Sequence, residues 1–412
     1  MTRPAAETTP AEIAEAKYLA TARAVRDRAQ ALYELAERGD LANFSVDETR
    51  LAPLAEYVVG VTRAAYPDVR AIPSHTRFRH FDVGGIDRVA RLDARLAGLP
   101  PSDQLCAKFE LAITSVLLDA GAGERWAYRD ASGHTHTRSE GLAVASYDLF
   151  VGGALSDDPA RATYRADAAT LTRLGADDLG RAFQVRADNP LVGLEGRASI
   201  LRRLGEVITR KPEFFGATSP RLGHLAIYLL GQARAGSLPA SAVLAGVLDA
   251  LGDIWPGREV CAGKNLGDVW THPAVGRVPF HKLSQWLTYS LCEPLEQSGV
   301  RITEANELTG LAEYRNGGLF VDGGVLVPKH PGVVSETHEV SSPVVVEWRA
   351  LSIILLDKIA VEIRRLLGLG ADELPLAKVL EGGTWRAGRQ LAAERRQGGV
   401  PPIRVRSDGT VF

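Results

Sequence analysis

The segment from Ser342 to Gly368 constrains the fold more than any other part of the sequence. Ser342 is a typical N-cap residue, Pro343 suits the first helical turn, and Gly368 is a typical helix stop. Between them, residues 344–367 carry apolar side chains on most faces of a helix instead of along one stripe. Other elements have to cover such a helix on all sides. The sequence therefore predicts a helix at the centre of the molecule.

Helical composition recurs along most of the remaining chain, at residues 11–38, 105–120, 168–179, 194–209, 222–235, 237–251 and 279–293. Short β-hairpins are predicted around Asp130-Ala131-Ser132-Gly133 and, after a short helix at residues 304–315, around Asp322-Gly323-Gly324. At residues 141–156, a strand and a helix are both compatible with the pattern. We expect a mainly α fold, a single multi-helix domain with a few short β-hairpins over residues 10–390, followed by an extended C-terminal tail at residues 391–412.

The charge balance argues against a polymeric anionic partner. The chain has 48 Lys and Arg against 50 Asp and Glu, a formal net charge of −2, which gives no long-range attraction to nucleic acid or to an anionic membrane. No secretory signal is recognisable at the N-terminus, and no uncharged run reaches the roughly 20 residues of a spanning helix. The three cysteines are widely spaced, so neither a disulfide framework nor a cysteine zinc site is indicated. We expect a cytoplasmic protein with no nucleic-acid or membrane partner; homo-oligomerisation stays open.

Two nucleotide-binding motifs are approached but not matched. Residues 119–123 begin like a dinucleotide loop, but Trp126 occupies the place of the third glycine. Residues 257–265 resemble a P-loop, but Asn265 replaces the metal-binding hydroxyl residue. We therefore expect no cofactor.

His134 and His136 are two residues apart on the first predicted hairpin and would share one face of a strand. That arrangement would suit a metal ion. The alternative is a pair of exposed polar residues, and we expect no metal. A metal-dependent amidohydrolase or ring-opening enzyme is therefore one functional interpretation of the sequence.

Three short segments place polar or charged residues where a site can form. Lys282, Gln285 and Tyr289 recur at i, i+3 and i+7, so they line either a pocket or the solvated face of a helix. Glu313 and Arg315 flank a tyrosine just before two glycines, which fits a pocket wall or a surface ion pair. In the Glu-Trp-Arg sequence at 347–349, two charges open the central helix, where burial demands a partner or a ligand for each.

These segments also carry a resemblance. VPFHKLSQ, LTGLAEYRNGGLFVDGGVL and EWRALSIILL follow the order and spacing of the helical queuosine-nucleotide N-glycosidases of queuine salvage. Those proteins show a V-x-F-x-K-x-x-Q helix, an L-T-x-x-A-D-Y-R segment and a late E-x-R helix. Over its whole length, the chain resembles more closely the related Urc/Urg uracil-catabolism family, in phrases such as HTRFRHFDVGG, RSEGLAVASYDLF, RADNPLVGLEGR and GDVWTHPA.

The resemblance implies a function and residue roles. It implies an N-ribosyl hydrolase acting on a small nucleotide-like compound, such as a ribosylurea-type intermediate of a pathway that passes uracil through its ribonucleotide and releases urea. Glu313 matches the catalytic Asp of the glycosidases, with a side chain one methylene longer. The other matches are Lys282 and Gln285 on the glycosidase helix, Tyr314 and Arg315 beside the acid, and Glu347 and Arg349 in the late pair.

Hydrolysis of a ribosyl C–N bond needs a carboxylate, because positive charge develops on the sugar and water must be activated. Glu313 is the candidate for this role. Lys282 would pair with Glu313 or hydrogen-bond a ribose hydroxyl. A non-catalytic nucleotide-binding protein is the third interpretation.

A ribosyl 5′-phosphate requires several hydrogen-bond donors, and arginine suits two of its oxygens at once. Residues 74–81 (SHTRFRHF) offer Arg77 and Arg79 between aromatic residues and histidines. We interpret this segment as a phosphate or leaving-group wall, the alternative being an exposed basic strand. The candidate substrate-binding residues are Gln285, Tyr289, Tyr314, Arg315, Arg77, Arg79, His75, His80, Asp148, Trp270 and His272, with Arg186, Asp188 and Asn189 as secondary candidates.

Overall fold

Helices dominate the computed structural model, which describes residues 8–255 and 259–406. In chain order, the α-helices are α1 (Pro10–Leu19), α2 (Ala22–Glu37), α3 (Leu51–Ala65), α4 (Arg77–Phe81), α5 (Arg88–Leu96), α6 (Pro101–Leu117), α7 (Arg138–Val151), α8 (Ala168–Arg173), α9 (Ala176–Ala182), α10 (Leu194–Arg210), α11 (Pro212–Phe215), α12 (His224–Gln232), α13 (Ala240–Leu251), α14 (Lys282–Gln297), α15 (Tyr314–Asp322), α16 (Gly332–Ser335), α17 (Pro343–Leu367), α18 (Leu376–Val379) and α19 (Trp385–Arg395). The predicted mainly α fold is confirmed.

The strands are two to four residues long and pair in twos. They are β1 (Phe44–Val46), β2 (Ala127–Arg129), β3 (Thr135–Thr137), β4 (Ser237–Pro239), β5 (Val260–Cys261), β6 (Lys264–Asn265), β7 (Val269–His272), β8 (Gly276–Pro279), β9 (Arg301–Thr303), β10 (Leu326–Pro328), β11 (Thr337–Glu339) and β12 (Arg404–Arg406). The pairs β1–β10, β2–β3, β5–β6 and β7–β8 are antiparallel, while β4–β9 and β11–β12 are parallel. The hairpin predicted around Asp130 is therefore present as β2–β3.

Internal contacts divide the described residues into two compact units. The first comprises residues 8–73, 255, 259–282 and 306–406, and the second comprises residues 74–254 and 283–305. The single integrated domain at residues 10–390 stays a prediction. Of the predicted tail, residues 391–395 continue α19 and Arg404–Arg406 form β12, whereas residues 407–412 lie outside the described residues.

Helix α17 is at the centre of the first unit and is buried along most of its length, as expected of a helix that is apolar on most faces. Its N-terminus is capped by the Ser342 hydroxyl, which accepts a hydrogen bond from the Val345 amide, and its C-terminus ends at Gly368 in the left-handed conformation (φ 67°). The helix packs against α2, α3 and α15 and buries apolar side chains along most of its length. Its first turns also bury Glu347 and Arg349, which shapes the candidate site.

The predictions around Glu313 are wrong in their secondary structure. Where a helix at residues 304–315 and a hairpin at residues 319–327 are expected, α15 begins at Tyr314 and runs through both glycines to Asp322. The glycines serve close packing and not a turn, because a Cβ on Gly317 would lie 2.6 Å from Nε1 of Trp348. The chain after α15 pairs with the distant β1 instead of folding back on itself.

Helices α6 and α7 pack together in the second unit. The ambiguous segment at residues 141–156 is helical as far as Val151, where α7 ends. Arg197 of α10 is fully buried and donates hydrogen bonds to backbone carbonyls just beyond the C-terminus of α6, including Leu118 at 3.0 Å. These bonds satisfy buried backbone acceptors in the segment that follows the helix.

Helix α14 differs from its predicted bounds at both ends. Pro279 belongs to β8, so the helix begins at Lys282, and it continues through Pro294 to Gln297. A proline removes one backbone donor, and because Pro294 lies in the last turn only the Ser290 carbonyl loses its helical N–H. Within residues 8–255 and 259–406, no helix combines the length and apolar character that crossing a bilayer requires.

Candidate functional site

Asp268 and Arg349 form an ion pair inside the first unit. Arg349 Nη1 and Nη2 donate to Asp268 Oδ1 and Oδ2 at 2.8 and 2.7 Å, and the two side chains are 1% and 15% exposed for Arg349 and Asp268. Burial alone would raise the pKa of Asp268, but the Arg349 guanidinium, helped by hydrogen bonds, holds it well below its usual range. Asp268 is therefore an anion that neutralises Arg349.

The three sequence segments of the resemblance meet at this pair. The backbone amide of Lys282 donates to Asp268 Oδ2 at 3.0 Å, and Arg349 Nε donates to the carbonyl of Ala312 at 3.2 Å. The guanidinium carbon of Arg349 also lies 4.0 Å from the centre of the Phe280 ring. The segments around Lys282, Ala312 and Arg349 thus converge on one ion pair.

Asp268 is the functional candidate that sequence reasoning missed. It stands in the GDVWTHPA phrase, two residues before Trp270, whose Nε1 donates to Asp268 Oδ1 at 2.8 Å. The sequence feature that points to Asp268 is its position directly before β7, the strand that buries Trp270. Its arginine partner lies 81 positions later in the chain, which local patterns do not reveal.

Glu313 is a buried N-cap carboxylate. Its Oε1 accepts the backbone amide of Asn316 at 2.6 Å and its Oε2 accepts that of Arg315 at 2.7 Å, so the side chain starts α15. Glu313 is 7% exposed. A carboxylate has about four lone-pair sites, and the two amides occupy one on each oxygen. The residue is therefore held in one orientation with acceptor capacity left.

The residues beside Glu313 hold backbone in place. Arg315 is buried, its Nη1 donates to the Gly399 carbonyl at 2.8 Å, and its guanidinium carbon lies 4.8 Å from the centre of the Tyr314 ring. These contacts give Arg315 a structural partner. A substrate-binding role for Tyr314 and Arg315 stays a prediction.

Glu347 anchors a second buried network in the first unit. Its carboxylate accepts the Asn43 side-chain amide at 2.8 Å and the Asn43 backbone amide at 3.2 Å. His272 Nδ1 accepts the Ala274 amide at 3.2 Å, so its proton sits on Nε2 and is donated to Glu347 at 3.4 Å. Glu347 is thus hydrogen-bonded by Asn43 and by the candidate His272, as a buried carboxylate requires.

The predicted polar stripe of α14 is buried. Lys282, Gln285 and Tyr289 are 8%, 1% and 4% exposed, so the interpretation as a solvated helix face is wrong. Burying an ammonium and an amide is costly without hydrogen-bond partners. That these side chains touch a substrate stays a prediction, as does a contact between the Lys282 ammonium and Glu313.

Arg77 in the second unit is fully buried on the short helix α4, so the segment is not an exposed basic strand. Its Nη1 donates to Asp119 Oδ1 at 2.7 Å and its Nε to the Ser115 hydroxyl at 2.7 Å. Burial lowers the pKa of Arg77, and Asp119 opposes that shift. The Asp119 carboxylate also accepts the Ser139 hydroxyl at 2.7 Å. Asp119 therefore neutralises Arg77 inside the protein.

The neighbours of Arg77 are aromatic and polar. His80 Nδ1 lies 3.3 Å from Arg77 Nη1, which only donates, so this nitrogen accepts and a neutral His80 ring carries its proton on Nε2. His75 stacks on Trp286 with ring centres 5.9 Å apart, and His80 lies 5.3 Å from the same ring. Arg79 forms a separate, partly exposed pair with Glu293 at 2.6 Å. The structure brings His75, Arg77 and His80 together, and their role as a phosphate wall stays a prediction.

The remaining candidates of the second unit have structural partners. Asp148 accepts the Tyr128 hydroxyl at 2.9 Å, and burial raises the pKa of Asp148. Asn189 holds the backbone of Ala127 through two hydrogen bonds at 2.8 and 2.9 Å. Arg186 and Asp188 form an exposed ion pair.

Of the two histidines in the β2–β3 hairpin, His136 contacts the side chain of Asp130. His136 Nε2 lies 2.9 Å from Asp130 Oδ2, which also accepts Arg88 Nη2 at 2.5 Å, while His134 is largely exposed. Among the residues that the structure describes, no group of three His, Cys, Asp or Glu side chains is arranged to hold a metal ion. The geometry at this hairpin therefore gives the metal-dependent interpretation no support.

Fold and site together define a mainly helical protein whose interior holds paired charges at the start of its central helix. Comparison with known proteins gives the family. The chain belongs to the family described as protein of unknown function (DUF1688), whose model matches residues 18–412.

Two relatives are similar over nearly their whole length. The chain is 39% identical over 399 residues to "Protein urg3" of Schizosaccharomyces pombe. This alignment covers 94% of this chain and 96% of that protein. It is 35% identical over 436 aligned positions to "Uracil catabolism protein 4" of Lachancea kluyveri. This second alignment covers 96% of this chain and 98% of that protein.

Proposed function

We propose that this protein is an enzyme of uracil catabolism that hydrolyses the N-ribosyl bond of a small nucleotide-like compound, such as a ribosylurea phosphate. The proposed pathway rests on the name of the relative "Uracil catabolism protein 4", whose alignment covers 96% of this chain. The reaction rests on one observation above all. Glu313 is a buried carboxylate that two backbone amides fix in a single orientation, next to the carbonyl that Arg349 binds.

The charges around Glu313 suit an electron-poor sugar. Because Asp268 neutralises Arg349, that guanidinium does not cancel the negative charge of Glu313. A carboxylate in a water-poor site interacts strongly with positive charge that develops on the ribose ring. The buried Lys282 ammonium would hydrogen-bond a ribose hydroxyl or pair with the Glu313 carboxylate.

The proposed reaction consumes one water. As the C–N bond breaks, its electron pair stays on the leaving nitrogen, which takes up a proton. Glu313 stabilises the cationic sugar and accepts a proton from the water that attacks the anomeric carbon. Glu313 then releases this proton, so that overall the water supplies the new hydroxyl group of the ribose and the proton on the leaving nitrogen. The products are ribose 5-phosphate and, from a ribosylurea, urea.

Two substitutions separate the charge of Glu313 from its capping role. Asp and Asn are about equally good N-cap residues, so Glu313→Asp and Glu313→Asn should leave α15 similarly capped, and only the first keeps the negative charge. We expect Glu313→Asn to lower kcat on the order of a hundredfold or more, by comparison with catalytic proton-transfer groups. Glu313→Asp should retain more activity than Glu313→Asn.

The measurement is release of ribose 5-phosphate from synthetic ribosylurea 5′-phosphate and from uridine 5′-phosphate by the purified protein. Thermal unfolding of both variants checks that the cap is intact. Equal turnover by the Asp and Asn variants would reject Glu313 as the catalytic carboxylate. Absence of ribose 5-phosphate with every N-ribosyl compound tested would reject the proposed reaction.

A further inference from the structure

A π-helical turn adjoins the helix that carries Glu313. Residues Leu380–Thr384 link α18 to α19 without a break, and the Trp385 amide donates to the Leu380 carbonyl, five residues back. Such a turn adds one residue to a helix and so rotates everything after it by about 100°. π-turns occur frequently at functional sites, which directs attention to what this one aligns.

The π-turn places Thr384 against the first turn of α15. The Thr384 hydroxyl donates to the side-chain oxygen of Asn316 at 2.8 Å, and both residues are fully buried. The Asn316 side-chain nitrogen donates to the Leu311 carbonyl at 3.2 Å. Both ends of the Asn316 amide are therefore fixed, and the backbone N–H of the same residue is the one that holds Glu313 Oε1.

Gly388 lies one turn after Thr384 and contacts the same part of α15. A Cβ at this position would overlap the carbonyl oxygen of Arg315. Residues four apart share a helix face, so Thr384 and Gly388 together set the register of α19 on α15. Removing the extra residue of the π-turn would rotate this face away from Asn316.

The π-turn itself is held by close packing and by charge. A Cβ on Gly383 would lie 2.6 Å from Val58 Cγ1, which presses the turn against α3. Glu381 accepts the Tyr66 hydroxyl at 3.0 Å and pairs with Arg386 at 2.9 Å. Packing against α3 and these polar contacts thus hold the turn in place.

We infer that Thr384 is a positioning residue that acts through Asn316 to orient the Glu313 carboxylate. The inference rests on the proposed function, because it assigns Thr384 a role in the same site. Thr384 is linked to the carboxylate through Asn316, so its loss should affect turnover more than substrate binding.

The test compares Thr384→Val, which removes the hydroxyl at nearly constant shape, with Thr384→Ser, which keeps it. Thr114→Val is the matched control, because the Thr114 hydroxyl is also buried on a helix but bonds to carbonyls of its own helix. We expect Thr384→Val to lower kcat roughly tenfold to a hundredfold with KM within about twofold, as for a misplaced catalytic group. Thr384→Ser and Thr114→Val should stay near wild type.

Hydrogen exchange gives a readout that does not depend on activity. The amides of Arg315 and Asn316 donate to Glu313, so the peptide covering residues 313–318 should exchange faster in Thr384→Val and normally in Thr384→Ser and Thr114→Val. Unchanged exchange and unchanged kcat in Thr384→Val would overturn the inference while leaving the role of Glu313 intact. Faster exchange in Thr384→Val together with full activity of Glu313→Asn would instead reject the proposed function. The structural link from Thr384 through Asn316 to Glu313 would still hold in that case.

Discussion

Arg349 and Asp268 join two parts of the sequence that lie 81 residues apart through a two-pronged ion pair. The backbone of Lys282 and the carbonyl of Ala312 are bound to the same pair. A bidentate arginine–carboxylate pair fixes direction as well as distance. The ion pair therefore sets how the segments around Lys282 and Glu313 approach each other.

Replacing Asp268 by Asn should destabilise the protein strongly. The guanidinium of Arg349 would stay buried without a counter-charge, and breaking one side of a buried pair typically costs about 3 to 5 kcal/mol. Urea denaturation would measure the free energy of unfolding. Asp40→Asn is the control, because the Arg38–Asp40 pair is more than half exposed and should change this free energy by less than about 0.5 kcal/mol. A loss for Asp268→Asn as small as the control would mean that the pair is not structurally important.

The same pair predicts the direction of a pH dependence. Its arginine keeps the pKa of Asp268 below the value of about 3.9 for an unfolded aspartate. A lowered folded-state pKa contributes stability that is fully present above the unfolded pKa and is lost as the pH falls through the folded pKa. The difference in unfolding free energy between wild type and Asp268→Asn should thus be constant near neutrality and shrink below about pH 4. A difference that grows on acidification would contradict the assignment.

Arg77 and Arg79 should respond differently to substitution. Arg77→Met leaves Asp119 buried without its partner and should lower the free energy of unfolding by about 3 to 5 kcal/mol. Arg79 is about one quarter exposed beside Glu293, so Arg79→Met should cost less than about 1 kcal/mol. If Arg79 binds the 5′-phosphate, its loss should raise KM for the phosphorylated compound roughly tenfold or more and spare the unphosphorylated one. Equal KM changes for both compounds would remove Arg79 from the phosphate site.

Local chemistry made α17 predictable and α15 not. The cap, the proline and the terminal glycine of α17 are residue types that favour those positions, and its apolar composition demands burial. Helix α15 starts at a glutamate, which is not among the preferred N-cap residues, and contains glycines that normally indicate turns. Those glycines are needed because Trp348 lies against Gly317, a contact that only the folded chain creates.

The candidate site was predictable where a motif carried it. The sequence motifs indicate the segments of Lys282, Glu313 and Arg349, and the structure links these segments through the Asp268–Arg349 ion pair. Asp268 itself was missed because its partner is remote in the chain. The role of Thr384 was hidden for the same reason, since its only indication is a hydrogen bond to Asn316, 68 residues earlier.

Two helical glycines offer a matched test of how tightly α19 fits α15. Gly388→Ala would place a Cβ against the Arg315 carbonyl, so either helix must shift, and overpacking of this kind typically costs about 1 to 3 kcal/mol. Gly60 in α3 has open space around its Cβ position, so Gly60→Ala should instead stabilise the protein by roughly 0.4 to 1 kcal/mol through lower entropy of the unfolded chain. Thermal and urea unfolding of both variants would compare them. Because the shift in Gly388→Ala moves the turn that holds Glu313, turnover should fall in that variant and not in Gly60→Ala. Stability and turnover unchanged in Gly388→Ala would show that the contact between α19 and α15 is looser than the structure has it.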